Sequence, residues 1–250
     1  MKLVKLGGSV ITFKGERKRF RSKITEDLAG ELAPFKEELC VVHGGGSYGH
    51  PLAHRYELHR GLHRQEQLAG FAEVHRSMRE LNGRVLRALH SHMIPAVSIP
   101  PAPLVSMEGG EVVSFTGGPF QRYLDAGLVP VTFGDVVLDS LRGSAVLSGD
   151  DLMLLLARVL KPVTTIFVAD VDGVKGPDGT LLPVVSSTLS EVPLLEDEMD
   201  VTGGLRRKLS LMFQMAKEGF RCLIISGLAR GRLRGALEGR DVPCTEVRWA

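Results

Sequence analysis

The chain has 250 residues, of which 44% are hydrophobic and 24% are charged, the balance of an ordinary globular protein. Its formal net charge of +2 gives no reason to expect a nucleic-acid or membrane partner, and no apolar run approaches the roughly 20 residues of a membrane span. The first apolar run is too short for a signal peptide, and the three widely spaced cysteines are typical of reduced thiols, so we expect a cytoplasmic protein.

Short β-branched runs alternate with helical patterns along the chain, which predicts βαβ units around a mostly parallel sheet. Strands are predicted at residues 2–6, 39–43, 95–99, 128–133, 164–169 and 221–226. Thr25 is predicted to cap a short helix that carries Leu28 and Leu32. Apolar residues at helical spacing from Leu68 to Leu89 predict a long amphipathic helix.

The remaining elements are a third helix and two hairpins. The helix is predicted over residues 204–218, with Gly219 as its left-handed C-cap. The hairpins are predicted over residues 104–115, turning at Gly109 and Gly110, and over residues 136–147, turning near Arg142 and Gly143. Together these elements predict an α/β fold, an αβα sandwich with hairpin decorations.

Four glycine-bearing segments fall where a strand ends or a helix begins. In parallel α/β sheets ligands bind outside the carboxyl ends of the strands, and glycine lets backbone N–H groups approach phosphate oxygens. Any one of the segments also fits a plain tight turn, but four at one edge favour an oligophosphate site. They are Gly7-Gly8-Ser9, Gly44-Gly45-Gly46-Ser47, Ser148-Gly149-Asp150 and Thr202-Gly203-Gly204.

Two common phosphate motifs fit poorly. No glycine is followed by lysine, which excludes the P-loop signature. Gly44, Gly46 and Gly49 match G-x-G-x-x-G, but the acidic residue expected about 20 positions on would be Glu66, which lies in a polar helical stretch. The dinucleotide-binding interpretation is therefore weak.

Phosphoryl transfer requires positive groups around the migrating phosphoryl. Lys5 ends the first strand among apolar neighbours, and Lys14 and Lys208 each follow a glycine segment, although both also fit solvated faces. Asp150 could cap a helix, or it could point inward and hold two lysines by charged hydrogen bonds. His50, six residues after Gly44, could donate a hydrogen bond to an anionic acceptor, which would need no general base. No motif supports a metal site formed by the protein itself.

The motifs KLGGSVIT-x-K, VVHGGGSYGH, PVTFGDVV, LSGDD, VADVDGV and DVTGG-x-x-x-K resemble the amino-acid-kinase superfamily, and most closely its archaeal-type isopentenyl phosphate kinases. The likeness runs along the whole chain. It implies ATP as phosphate donor, Mg²⁺ held mainly by the ATP phosphates, a homodimer, and no nucleic-acid or membrane partner. It also implies one domain over residues 1–250, with an acceptor-binding lobe of about residues 1–160 and a nucleotide-binding lobe of about residues 161–250.

The same resemblance assigns roles to residues. It implies that Lys14 and Lys208 stabilise the transferring charge, Asp150 orders the lysines and His50 binds the acceptor phosphate. Gly45 and Gly149 would line the acceptor side. The nucleotide side would be formed by Lys5, Leu6, Gly7, Gly8, Ser9, Gly46, Asp170, Gly173, Val174, Gly204 and Lys208.

The apolar tail of such an acceptor requires a cavity, and Met78 is the predicted lining residue because methionine adapts to irregular shapes. Most of the stripe around it also fits ordinary helix-to-sheet core. Two other functions stay open. One is a related small-anion kinase acting on a phosphonate of the fosfomycin type, a carbamate or an acylamino acid. The other is a non-catalytic nucleotide-binding regulator, against which the intact set of lysines argues.

Overall fold

The computed structural model describes residues 1–186 and 204–249. Within them the strands are β1 (Lys2–Leu6), β2 (Leu39–His43), β3 (Ala96–Ser98), β4 (Val105–Glu108), β5 (Glu111–Phe115), β6 (Val129–Phe133), β7 (Asp135–Asp139), β8 (Gly143–Leu147), β9 (Thr164–Ala169), β10 (Val184–Val185), β11 (Cys222–Ser226) and β12 (Cys244–Val247). The helices are α1 (Gly8–Ile11), α2 (Ser22–Leu32), α3 (Gly46–Arg55), α4 (Gln65–Ser91), α5 (Gly118–Asp125), α6 (Gly149–Leu160), α7 (Gly204–Lys217) and α8 (Arg232–Leu237). All six predicted strands are present.

Among the described residues the central sheet has eight strands in the order β10-β12-β11-β9-β1-β2-β6-β3, of which only the β11/β12 pair is antiparallel. Helices cover both faces because successive side chains of each strand point to opposite sides. Val4 and Leu6 lie in one core with α2, α3 and α4, whereas Leu3 lies in a second core with α6 and α7. The predicted αβα sandwich is confirmed.

The two predicted hairpins form a single second sheet, in the order β5-β4-β7-β8. Met107 of β4 pairs with Asp139 of β7. The Asp139 carboxylate also accepts backbone N–H bonds from Gly109 and Gly110 at 3.0 and 2.7 Å, so it holds the turn of the other hairpin. Both glycines have positive φ, +61° and +92°, as the predicted two-residue turn requires.

The prediction for Thr25 was wrong. Helix α2 begins one turn earlier, at Ser22, after Arg21 as N-cap. Thr25 lies inside the first turns, where its hydroxyl donates to the Arg21 carbonyl at 2.9 Å. A threonine can satisfy its hydroxyl in this way within a helix, so its presence did not mark the helix start.

The predicted long helix is α4, whose 27 residues run along one face of the sheet. Its buried stripe includes Val74, Met78, Leu81 and Val85, and its opposite face is charged. No helix among the described residues is both long enough and apolar enough to cross a membrane. Helix α7 ends at Lys217, and Gly219 beyond it has a φ of +88°, as expected for a left-handed C-cap.

Candidate active site at the carboxyl edge of the sheet

The turns after β1 and β2 contact each other through bare backbone. The strands are parallel neighbours, so Gly8 and Gly44 leave the sheet side by side. A Cβ placed on Gly8 would lie 2.3 Å from the Gly46 nitrogen, and one on Gly44 would lie 2.7 Å from the Gly8 nitrogen. Only glycine permits this approach, which produces one continuous backbone surface at the edge of the sheet.

Thr12 joins the two turns. Its hydroxyl donates to the Gly8 carbonyl at 2.7 Å and accepts from the Ser47 N–H at 3.0 Å. Gly46 makes room for it, since a Cβ there would lie 2.1 Å from Thr12 Oγ1. Sequence reasoning gave Thr12 no role, because its two partners become neighbours only when β1 and β2 pair.

Lys5 and Asp150 form a largely buried ion pair beneath this surface. The Lys5 Nζ to Asp150 Oδ1 distance is 2.6 Å. Gly149 gives the lysine a path, since a Cβ there would lie 3.0 Å from Lys5 Cε. Asp150 is not the N-cap of α6, a role that Ser148 fills by accepting the Asp151 N–H. Asp150 therefore points inward.

Lys208, in the second turn of α7, lies within electrostatic reach of the same pair. Burial opposes ionisation of Asp150, but the charges of Lys5 and Lys208 outweigh it and lower the pKa of this carboxyl. Burial and the charge of Lys5 lower the pKa of Lys208, while Asp150 and Asp170 oppose that shift. Asp150 thus contacts Lys5 directly and attracts Lys208 by its charge, and one carboxylate compensates only part of the charge of two lysines.

A second ion pair crosses from the turn after β1 to the turn after β9. Lys14 Nζ lies 3.3 Å from Asp170 Oδ2, and the lysine side chain is 75% exposed. Burial disfavours the ionised form of Asp170, yet a hydrogen bond from Ser9 and the charge of Lys14 hold the pKa of this carboxyl below its ordinary value. Within residues 1–186 and 204–249, Lys5, Lys14 and Lys208 thus interact with Asp150 and Asp170, a positive balance suited to an oligophosphate.

The turn after β2 continues into α3, which has Gly45 as its N-cap and Gly46 as its first residue. His50 lies on the exposed side of α3, one turn further along. Met78 of α4 packs against the other side, with Sδ 3.3 Å from where a Gly45 Cβ would be and 2.8 Å from where a Gly49 Cβ would be. Ser77 Oγ donates to the Tyr48 carbonyl at 2.9 Å, so α4 is fixed directly against this turn.

Comparison with known proteins agrees with this architecture. The Amino acid kinase family matches residues 1–226. The chain belongs to this family. It is 36% identical over 263 aligned residues to the isopentenyl phosphate kinase of Methanothermobacter thermautotrophicus, an alignment that covers 99% of this chain and 98% of that one. It is 34% identical over 221 residues to the isopentenyl phosphate kinase of Thermoplasma acidophilum, with 86% of both chains covered. An X-ray structure of isopentenyl phosphate kinase superposes with a TM-score of 0.87 at 32% identity and 99% coverage of both chains.

Two residues that the family resemblance placed on the nucleotide side lie in the core. The Leu6 side chain is 1% exposed, and the Leu6 carbonyl already accepts the Gly44 N–H at 2.9 Å. Val174 is fully buried and donates its N–H to Thr245 Oγ1 at 2.8 Å. Gly173 leaves room for that hydroxyl, since a Cβ there would lie 2.3 Å from it. Both side chains are buried, so they support the turns after β1 and β9 from the core.

The fourth predicted glycine segment lies only partly within the described residues. Gly204 is the first residue of α7, whereas Thr202 and Gly203 lie outside them. Among the residues that the structure describes, no group of three or more histidine, cysteine, aspartate or glutamate side chains is arranged to hold a metal ion.

His43 and Asn82 support the kinase's second glycine turn, and sequence reasoning missed both roles. Burial lowers the pKa of His43 to about 4, so its ring is neutral. Its Nδ1 lies 3.1 Å from the Gly44 carbonyl and its Nε2 lies 3.2 Å from Asn82 Nδ2. Because the carbonyl only accepts and the amide nitrogen only donates, Nδ1 carries the proton. The one available signal was a polar asparagine within the apolar stripe of α4.

We predict that Met78→Ala weakens both packing and acceptor selection. Loss of the buried side chain should cost about 2–5 kcal/mol of unfolding free energy and leave a void beside Gly45 and Gly49. Met78 is itself 1% exposed and supports the Gly45–Gly49 turn from the core, so the void should act on the acceptor through that turn: KM for a short-tailed acceptor should rise and longer tails should become better substrates. Val85→Ala, in the same stripe but two turns away, is the control for stability loss. If Met78→Ala and Val85→Ala had equal kinetics, Met78 would not line the acceptor site.

Proposed function

We propose that the chain is an ATP-dependent isopentenyl phosphate kinase, which transfers the γ-phosphate of ATP to isopentenyl phosphate and produces isopentenyl diphosphate and ADP. The observation that carries the proposal is the convergence of Lys5, Lys14 and Lys208 on a bare glycine surface. Glycine in these turns lets backbone N–H groups approach phosphate oxygens, and among the described residues the three lysines outnumber Asp150 and Asp170 beside them. Two relatives are named isopentenyl phosphate kinase, and their alignments cover 86% and 99% of this chain. They support isopentenyl phosphate as the acceptor.

The chemistry follows from the charges. A phosphate acceptor is already ionised near neutrality, so its oxygen can attack in line without a general base. Lys14 and Lys208 would compensate the charge that spreads over the moving phosphoryl oxygens, while Asp150 would hold Lys5 by direct contact and Lys208 by its charge. Mg²⁺, bound mainly through the phosphates of ATP, would neutralise further charge. Gly45, Gly149 and His50 would hold the acceptor phosphate, and Gly7, Gly8, Ser9, Gly46, Asp170, Gly173 and Gly204 would surround the nucleotide.

Residues of about 1–160 would form an acceptor-binding lobe and residues of about 161–250 a nucleotide-binding lobe of one domain. Two copies would form a homodimer. Cys40 and Cys222 are buried, unpaired thiols, which fits a reducing cytoplasmic location.

The test is ADP release with Mg-ATP and a panel of acceptors. The panel contains isopentenyl phosphate, dimethylallyl phosphate, fosfomycin, carbamate, acetylglutamate and uridine monophosphate. Selective turnover of isopentenyl phosphate would support the proposal. Selective turnover of another member would keep the kinase and change its acceptor, and ATP binding with no turnover would favour a regulator.

His50→Ala should separate acceptor binding from nucleotide binding. Loss of a charge-assisted hydrogen bond to the acceptor phosphate should lower kcat/KM for isopentenyl phosphate about 10- to 100-fold. The Kd for ATP, measured by calorimetry, should change less than twofold. His54→Ala is the matched control, because His54 is exposed one turn further along α3 and stacks on His59. An equal loss of ATP affinity would show that His50 does not act on the acceptor.

A further inference from the structure

Residues 12–20 form a short hairpin that carries Lys14, which we call the Lys14 hairpin. Thr12 and Phe20 pair as an antiparallel bridge, and the Phe13 N–H donates to the Arg19 carbonyl at 3.0 Å. The Arg19 guanidinium lies over the Phe13 ring at 4.6 Å from its centroid. The hairpin is therefore a compact unit, and its position determines where Lys14 can reach.

Two carboxylates of α4 hold this hairpin. Arg17 Nη2 lies 2.8 Å from Glu73 Oε1, and Lys18 Nζ lies 3.1 Å from Glu80 Oε2. Glu73 and Glu80 are seven residues, about two helical turns, apart and so share one face of α4. The Tyr56 hydroxyl donates to the second oxygen of Glu73 at 2.9 Å, which fixes that carboxylate against α3.

The backbone of the hairpin is attached to the site as well. The Lys18 N–H donates to the Ser47 carbonyl at 3.3 Å, and Ser47 in turn donates its N–H to Thr12 Oγ1. Lys18 has a φ of +54°, a left-handed conformation that costs free energy for a lysine. The contacts of Lys18 to Ser47 and Glu80 stabilise that conformation.

Helix α4 thereby contacts both the turn proposed to bind the acceptor and the Lys14 hairpin. Met78 lies between Glu73 and Glu80 in the sequence and packs against the turn of Gly45 and Gly49. The same helix thus borders the acceptor side and fixes the Lys14 hairpin. Lys14 itself pairs with Asp170, which lies in the turn after β9.

We propose that Glu73 and Glu80 are positioning residues for Lys14, which they hold at the transferring phosphoryl through Arg17 and Lys18. This inference rests on the proposed kinase function. An exposed lysine on an untethered hairpin would spend most of its time away from the phosphoryl group, and the two ion pairs limit that freedom. Each pair is partly exposed, so its loss should lower kcat roughly 2- to 5-fold, and loss of both roughly 5- to 20-fold.

The decisive experiment compares Glu73→Gln/Glu80→Gln with the wild type in the presence and absence of Lys14→Ala. We expect the double glutamine variant to lower kcat with little change in KM for ATP, and to have no further effect once Lys14 is alanine. A merely structural role would lower activity equally in both backgrounds and would overturn the inference. Asp27→Asn, which removes the exposed Lys23–Asp27 pair of α2, is the control and should leave kcat unchanged.

Two further measurements separate this inference from the proposed function. Arg17→Glu should lower kcat, and Arg17→Glu/Glu73→Arg should recover at least half of the loss, because the reversed pair restores the tether. Hydrogen exchange of residues 12–20 should quicken in the double glutamine variant and not in Asp27→Asn. If the wild type did not phosphorylate isopentenyl phosphate, the proposed function would be wrong. Independently of that result, unchanged hydrogen exchange in the double glutamine variant would refute the tether. Normal kcat despite faster exchange would show that the tether does not position Lys14.

Discussion

Lys208→Met should lower kcat about 10²- to 10³-fold, the loss expected when one preorganised charge is removed from a phosphoryl-transfer site. Methionine keeps the length of the side chain and removes the ammonium group. Asp150 retains its 2.6 Å contact with Lys5, so the carboxylate is not left without a cation. The fold should therefore remain intact, and KM for both substrates should change less than kcat.

Steady-state kinetics of Lys208→Met and the wild type give kcat and both KM values, and thermal melts of the two proteins compare their stability. Lys217→Met is the matched control, because Lys217 ends the same helix and lies over the Trp249 ring at 4.8 Å from its centroid. That variant should keep the wild-type kcat. Lys208→Arg should recover part of the activity lost in Lys208→Met, since it restores the charge. A melting temperature that fell in proportion to kcat would instead assign Lys208 to the structure.

Asp150→Asn should change the pH dependence of turnover as well as its rate. In the wild type, burial and the charge of Lys5 lower the pKa of Lys208, and the Asp150 carboxylate opposes that shift. Without the carboxylate the pKa of Lys208 falls further, so the lysine loses its proton at a lower pH. The alkaline limb of the kcat profile should therefore move to lower pH, and kcat at its optimum should fall roughly 10- to 100-fold.

Asp151→Asn is the control for this experiment. Asp151 is the adjacent residue in α6, where it accepts bonds from Ser148 and pairs with Arg207 at 2.9 Å. Its substitution should lower stability by about 1 kcal/mol through the weakened cap and leave the alkaline limb in place. If the two variants had the same pH profile, Asp150 would not set the ionisation of Lys208.

Much of the fold could be predicted from local patterns. The short apolar runs of β1 and β2, the helical period of α4 and the glycine pair at residues 109–110 depend only on neighbours in the chain. Local patterns also assign Lys5, Gly8 and Gly44 to the carboxyl edge of the sheet. A parallel βαβ order places the carboxyl ends of the strands at one edge. The sequence by itself determined the layers of the sandwich and the edge of the sheet at which the candidate site is predicted.

The tertiary structure decided which of these groups touch. Asp150 is 145 residues from Lys5, Ser47 is 35 from Thr12, and Glu73 is 56 from Arg17. No periodicity spans such separations, because they are set by strand order and helix packing and not by local propensity. The same reason explains the joining of two hairpins into one sheet through Met107 and Asp139. It also explains the neutral His43, whose ionisation depends on the burial that the whole fold creates.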